Sequence, residues 1–188
     1  MRYTATHKDE TRQRILDKAA ELFRQKGYDG VGIERIMATA RLTRGGFYAH
    51  FKSKAALFAE VLRRESDFVR RVRSARDART VIRGYLDPAN REAVGRGCIL
   101  ASLTNEVPRR DRAAKRAYAD QVEALTAELV AHVSASPAEA RARALEAVAL
   151  CVGGISLARG VADDDLAEEI LGVCRERACE AIEASRAE

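Results

Sequence analysis

The chain has no tryptophan, only three prolines, and aromatic residues at 5% of its 188 positions. Scarce proline, few β-branched runs and abundant Ala, Leu, Arg and Glu argue against a sheet and for an all-helical chain. No apolar stretch approaches the roughly 18 residues that a membrane-spanning helix needs. The first ten residues are polar and lack the apolar segment of a secretory leader, so no signal peptide is expected. Four cysteines, at 98, 151, 174 and 179, stand without a CxxC pair or a Cys/His ligand spacing. This excludes a zinc knuckle, argues against a disulfide scaffold and points to a reducing, cytoplasmic setting. Also missing are a phosphate-cradling glycine loop, a nucleophile paired with a base and a metal-ligand set. The residues therefore point to no enzyme and imply no cofactor.

What is present is ordinary globular material: 47% hydrophobic and 32% charged residues, enough for one domain or two small ones with a real core. The formal charge of +5 is unevenly spread. Residues 1–88 carry 20 Lys/Arg against 11 Asp/Glu, whereas residues 89–188 carry 13 against 17. A basic front half on a mildly acidic back half fits a front half that meets a polyanion; solvated helix faces are the bland alternative.

Apolar residues at helical spacing predict a first helix over 8–26, with Ile15, Ala19, Leu22 and Phe23 on one face and Gly27 just past its end. Short helices are expected at 33–40 and 44–50. Ser53 is read as the cap of one long helix from Lys54 into the Arg70s, continuous enough to link two domains. Beyond it the pattern predicts a short helix at 81–86, a loop over 88–97, a helix at 98–107 ended by Pro108, and a long one over 109–133. Ser136-Pro137 opens another, to about Gly160, and Asp163 opens the last, with Asp163, Asp164 and Asp165 read as capping and dipole complement rather than a metal cluster.

The informative stretch is Gly32 to Leu57, which reads helix, short turn, helix. Its second helix is short and polar. Phe47 and Phe51, four apart, give it two inward anchors. Gly45 and Gly46 allow close approach to a surface. The outer side offers Arg44, Tyr48, His50, Lys52 and Lys54, a set suited to phosphates, and Arg44 stands where a recognition helix reads base edges.

The run Thr-Arg-Gly-Gly-Phe-Tyr-Ala-His-Phe-Lys-Ser-Lys at 43–54, with Thr11-Arg12-Gln13-Arg14-Ile15-Leu16, Ala20-Glu21-Leu22-Phe23 and Gly27-Tyr28 upstream, resembles the TetR family of bacterial transcriptional regulators. The resemblance covers residues 9–69. It implies an all-α protein: a three-helix DNA-binding domain at 9–69, with its helix-turn-helix at 32–51, and a larger helical ligand-binding and dimerisation domain at 70–188. It further implies a homodimer on an inverted-repeat DNA operator, a repressor by family habit, released by a small molecule. Carried onto matching positions, Thr43, Arg44, Gly45 and Gly46 face bases or backbone, Tyr48 and His50 contact phosphates or nearby bases, and Lys54 binds phosphate. Two departures stand out. Arg41 occupies the turn position where the family usually has Gly, and Gly32 stands where a Thr or Ser cap is usual.

Candidates to line an effector pocket are Phe68, Tyr85, Cys98, Tyr118, Val122 and Cys151, with Arg159 and Glu106 able to orient a polar group. The expected effector is small and apolar or amphipathic. Cys98 carries two readings: a buried small hydrophobe, or a thiol sensor of oxidants and electrophiles that replaces ligand occupancy. His50 lacks a second ligand at three or four residues' spacing, which argues against a metal. Ala147, Val148, Cys151, Gly154 and Ile155, with Leu166, Ile170, Val173 and Arg177, are expected to form a four-helix interface between two chains, an ordinary intramolecular core being the bland alternative.

Overall fold

In this computed structural model residues 5–183 are described, and within them every regular element is a helix. The chain forms α1 (Ala5–Lys26), α2 (Ile33–Thr39), a 3-10 helix (Arg44–Ala49), α3 (Lys54–Arg63), α4 (Asp67–Ser74), α5 (Ala78–Tyr85), α6 (Ala89–Glu92), α7 (Ile99–Leu103), α8 (Arg112–Val130), α9 (Pro137–Gly160) and α10 (Asp164–Ile182). It divides into two compact units. One holds the residues up to Arg64 together with Leu103–Tyr118; the other holds Glu65–Ser102 and the residues from Ala119 onward. The segment Leu103–Tyr118 therefore groups with the N-terminal helices, although the sequence pattern assigns it to the second domain.

The core of the first unit follows from helical spacing. Ile15, Ala19, Leu22 and Phe23 of α1 are buried with Ile36 and Met37 of α2, Phe47, Phe51, and Leu57, Phe58, Val61 and Leu62 of α3. Phe23 and Phe58 meet edge to face, with ring centres 5.1 Å apart. Burying a side chain of this size contributes roughly 1.5–3 kcal/mol. Gly27 ends α1 with φ +69°, and its N–H reaches the Phe23 carbonyl at 2.9 Å. A Cβ there would also lie 2.4 Å from Glu106 Oε1. Arg41 takes the same left-handed conformation, φ +57°, at the end of α2. Its N–H bonds the Ala38 carbonyl and the Leu42 N–H bonds the Met37 carbonyl, so α2 ends in a two-bond cap of the kind glycine usually closes. The side chain at this position costs about 1 kcal/mol.

The long helix expected from Lys54 is two helices. Arg64 is extended, and the Ser66 hydroxyl accepts the Val69 N–H at 3.2 Å, which caps α4 separately. Likewise 88–97 is not bare loop but α6 and a 3-10 turn at Val94–Arg96, and α7 stops at Leu103, short of the expected 107. The start signals at the other ends hold: Ser53 accepts the Ala56 N–H, Asp163 accepts the Leu166 N–H, and Pro137 opens α9.

In the second unit α9 and α10 pack closely. A Cβ at Gly154 would meet Cys174 Cβ at 2.8 Å, so glycine is required for this approach. Ala147, Val148, Cys151, Gly154 and Ile155, expected to face a second chain, are instead buried within their own. Apolar residues left exposed on the pair include Leu157 at 60%, Leu166 at 44% and Val173 at 55%, with Leu145 at 37%. Ile170 is half-buried and Arg177 exposed.

Candidate functional site

The 3-10 helix is set into the first unit by Phe47 and Phe51, whose ring centres are 5.8 Å apart, while its other side faces outward. Thr43 precedes it in extended conformation, its carbonyl accepting the Gly46 N–H at 3.1 Å. Thr43, Arg44, Gly45 and Lys52 are exposed, and Tyr48 is 66% exposed. Open space surrounds the Gly45 Cα, so a partner's backbone can approach there; Gly46 is half-buried against Met37.

His50 sits at the end of this helix. Its Nδ1 is buried without a hydrogen-bond partner, and burial, then the cations Lys8 and Arg12, push its pKa down. A phosphate at this point would relieve both conditions. Lys8 and Arg12 were not among the expected interface residues; four residues apart on α1, they share a face, the signal by which they could have been found. Arg12 also stacks its guanidinium over Phe51 at 4.7 Å and pairs with Glu60. Lys54 is placed otherwise than expected. Its ammonium donates to the carbonyls of Tyr28 and Val31 at 2.9 and 3.0 Å, which leaves one N–H for a phosphate.

Part of the first unit's positive charge is compensated. Arg64 pairs with Asp17, Lys18 with Glu21 and Arg110 with Asp29. Arg35, Arg41, Arg44 and Lys52 are exposed and have no ion pair among the described residues. Among the described residues no acid pairs with these four cations, which suits a surface for a polyanion.

Of the expected pocket residues, the second unit brings four together. Phe68 stacks on Tyr85 with ring centres 4.0 Å apart. The Tyr85 hydroxyl is buried with no nitrogen or oxygen partner, beside the thiols of Cys98 and Cys151. Burial raises the pKa of the Tyr85 phenol and of the Cys151 thiol well above their ordinary values. Val122 is half-buried on α8, its carbonyl accepting the Thr126 hydroxyl at 2.8 Å. Tyr118 does not join them: it belongs to the first unit, where its hydroxyl bonds Thr104 Oγ1 at 2.7 Å. Glu106 belongs there too, against Gly27 and 3.7 Å from Arg110. Arg159 lies within electrostatic reach of Tyr85 and Cys98. Among the described residues no three His, Cys, Asp or Glu side chains are grouped to hold a metal ion, and no helix is long and apolar enough to cross a membrane.

The profile of "Bacterial regulatory proteins, tetR family" matches residues 15–61, the span that contains this helix-turn-helix. The HTH-type transcriptional repressor DhaR of Mycobacterium sp. (strain GP1) is 29% identical over 102 residues, 51% of this chain and 52% of DhaR. The HTH-type transcriptional regulator AcrR of Shigella flexneri is 45% identical over 60 residues, 32% of this chain and 28% of AcrR. The chain thus spans about half or less of the curated relatives it matches. In three dimensions the likeness is longer. The reduced form of E. coli NemR superposes with a TM-score of 0.72 at 22% identity, covering 90% of this chain and 95% of that one. A TetR-family regulator from Cytophaga hutchinsonii gives 0.73 at 19% identity, covering 95% and 98%. These relatives carry the names of transcription regulators, not enzymes. Residues 15–61 thus match the DNA-binding segment of the tetR family of bacterial regulatory proteins, and the fold over nearly the whole length is similar to that of solved TetR-family structures.

Proposed function

We propose that this protein is a cytoplasmic transcriptional repressor that binds an inverted-repeat DNA operator as a homodimer and is released by a small-molecule effector held in its second unit. The observation that carries the reading is the uncompensated set Arg35, Arg41, Arg44 and Lys52 on the helix-turn-helix, mounted on the buried Phe47 and Phe51. Arg44 and Thr43 read base edges; Tyr48, His50, Lys52 and the remaining N–H of Lys54 hold phosphates; Gly45 and Gly46 let the backbone close on the duplex. The stripe Leu157, Leu166 and Val173 is the face buried between two chains. A dimer of this kind sets two recognition helices about 34–36 Å apart on one face of DNA.

Selection from a random duplex library, followed by footprinting, tests this. The expected result is an inverted repeat protected symmetrically. Protection of one asymmetric half-site at saturating protein would overturn it. A second reading, thiol sensing, draws support from Cys98, which is only half-buried beside Tyr85. Cys98→Ser separates the two: it abolishes a response to oxidants or electrophiles and leaves a non-covalent response intact.

A further inference from the structure

The second unit contains a guanidinium that no acid balances. Arg159, near the end of α9, donates from Nε to the Arg91 carbonyl at 3.2 Å, from Nη2 to the Asn90 carbonyl at 2.8 Å and from Nη1 to Ser102 Oγ at 3.2 Å. It lies close against Gly97, where a Cβ would stand 2.6 Å from Nη2. The group is therefore fixed in place. All its acceptors are neutral, and among the described residues no carboxylate pairs with it. Arg91 makes an instructive contrast. It also binds main-chain oxygens, those of Ala158 and Val161 at 2.8 Å each, but Asp164 balances its charge. A guanidinium partly withdrawn from water without a counter-charge is unfavourable, and burial accordingly lowers the Arg159 pKa.

A second, independent feature lies close by: Asn90, whose carbonyl accepts from Arg159, donates its side-chain amide to the Tyr85 carbonyl at 3.2 Å. Tyr85 is 7% exposed, and its hydroxyl is buried with no nitrogen or oxygen partner, only the weakly bonding Cys98 thiol beside it, within electrostatic reach of Arg159. Buried hydroxyls without partners are rare because the lost hydration is not replaced. Arg159 uses three of its five N–H groups on the protein, so two remain. One cation and one hydroxyl donor, next to Phe68 and Cys151, suit a single negative charge on an apolar body. A planar carboxylate can accept from an N–H and an O–H donor together, whereas a phosphate dianion would leave one charge unbalanced.

We propose that Arg159 and Tyr85 form an anion site that takes the carboxylate of a small monocarboxylic acid, and that this acid is the effector. The inference rests on the effector-released regulator proposed above and names the chemistry of its ligand.

The test is calorimetric titration of the full chain without DNA, using benzoate, phenylacetate, hexanoate and octanoate, each against its neutral amide. At least one acid should bind, with its amide weaker by about tenfold or more, the loss expected for a charge-assisted hydrogen bond. Tyr85→Phe keeps the ring that stacks on Phe68 and should weaken the acid by about tenfold. Arg159→Gln should erase the preference for acid over amide. Because Arg159 also holds the 90–97 segment, Tyr85→Phe serves as the decisive variant if Arg159→Gln does not fold. Acids that do not bind, amides that bind equally, or a Tyr85→Phe protein with unchanged acid affinity would overturn the site. An acid that binds without lowering operator affinity would overturn its role as effector. Failure of the ligand-free protein to bind DNA sinks the regulator reading instead, and the titration distinguishes that case because it contains no DNA.

Discussion

The Lys54 ammonium lies 4.1 Å from the centre of the Tyr28 ring and donates to the Tyr28 carbonyl oxygen at 2.9 Å. Arg110 covers the same ring at 4.3 Å and pairs with Asp29. Lys54 thus ties the first turn of α3 to the end of α1 before any DNA is present. Lys54→Ala should cost about 1–2 kcal/mol of stability, from a charged hydrogen bond and a cation–π contact. It should also lower the salt slope of DNA binding by about one ion. Denaturant titration and binding across a salt series read the two effects separately. An unchanged slope would remove Lys54 from the phosphate contacts without touching its structural role.

Arg44 and Lys52, both exposed and unpaired, should differ in kind. Arg44→Ala is expected to cost about 1–3 kcal/mol and relax preference at one operator position. Lys52→Ala should weaken all sequences alike and reduce the salt slope by about one. Repeating the library selection with each variant checks this: a Lys52→Ala protein that prefers a different sequence would contradict its role as a positioning contact.

Arg41→Gly should stabilise the fold by about 1 kcal/mol, because the left-handed backbone at φ +57° no longer carries a side chain. DNA affinity should fall at the same time, since an exposed, uncompensated cation leaves the turn. A variant that gains stability and keeps its affinity would show that Arg41 meets no phosphate.

The His50 imidazole is held below its ordinary pKa by burial, then by Lys8 and Arg12. The folded chain takes up this proton less readily than the unfolded one. The associated stability is complete above the unfolded value of about 6.5 and is lost as pH falls through the lower folded value. A phosphate beside His50 raises that pKa, so operator binding takes up a proton and tightens as pH falls from 8 towards 6. Binding measured at both pH values, for the wild type and His50→Gln, should show this dependence only in the wild type.

Leu157→Glu and Val173→Glu place a charge on the exposed stripe of α9 and α10. Each should weaken dimerisation by about 2 kcal/mol or more while leaving helix content unchanged. Light scattering after size exclusion reads the mass. Dimers that persist in both variants would move the interface elsewhere.

Local signals made much of the fold legible. Gly27 marks a helix end because only a residue tolerant of positive φ fits there, and Ser53 and Asp163 mark starts because a short oxygen-bearing side chain reaches a free N–H. The break at 64–66 escaped because Leu57, Val61, Leu62, Phe68, Val69 and Val72 keep a helical rhythm across it, and the Ser66 cap is hidden inside that rhythm. Helix α9 is apolar on several sides, so periodicity alone could not tell the face that meets α10 from the face left exposed. Phe47 and Phe51 were readable as anchors from their spacing. The pairing of Arg159 with the Gly97 backbone joins residues far apart in the chain, and no local pattern announces it.

That last contact has a consequence for how such a protein can diverge. The Arg159 guanidinium occupies the volume a Cβ would need at position 97, and three hydrogen bonds keep it there. The two positions are therefore linked: a side chain at 97 pushes the guanidinium off these acceptors, which favours a short or uncharged residue at 159. If Arg159 carries the ligand's charge, a single codon change at Gly97, a residue that touches no ligand, is enough to move a descendant from acids to neutral molecules.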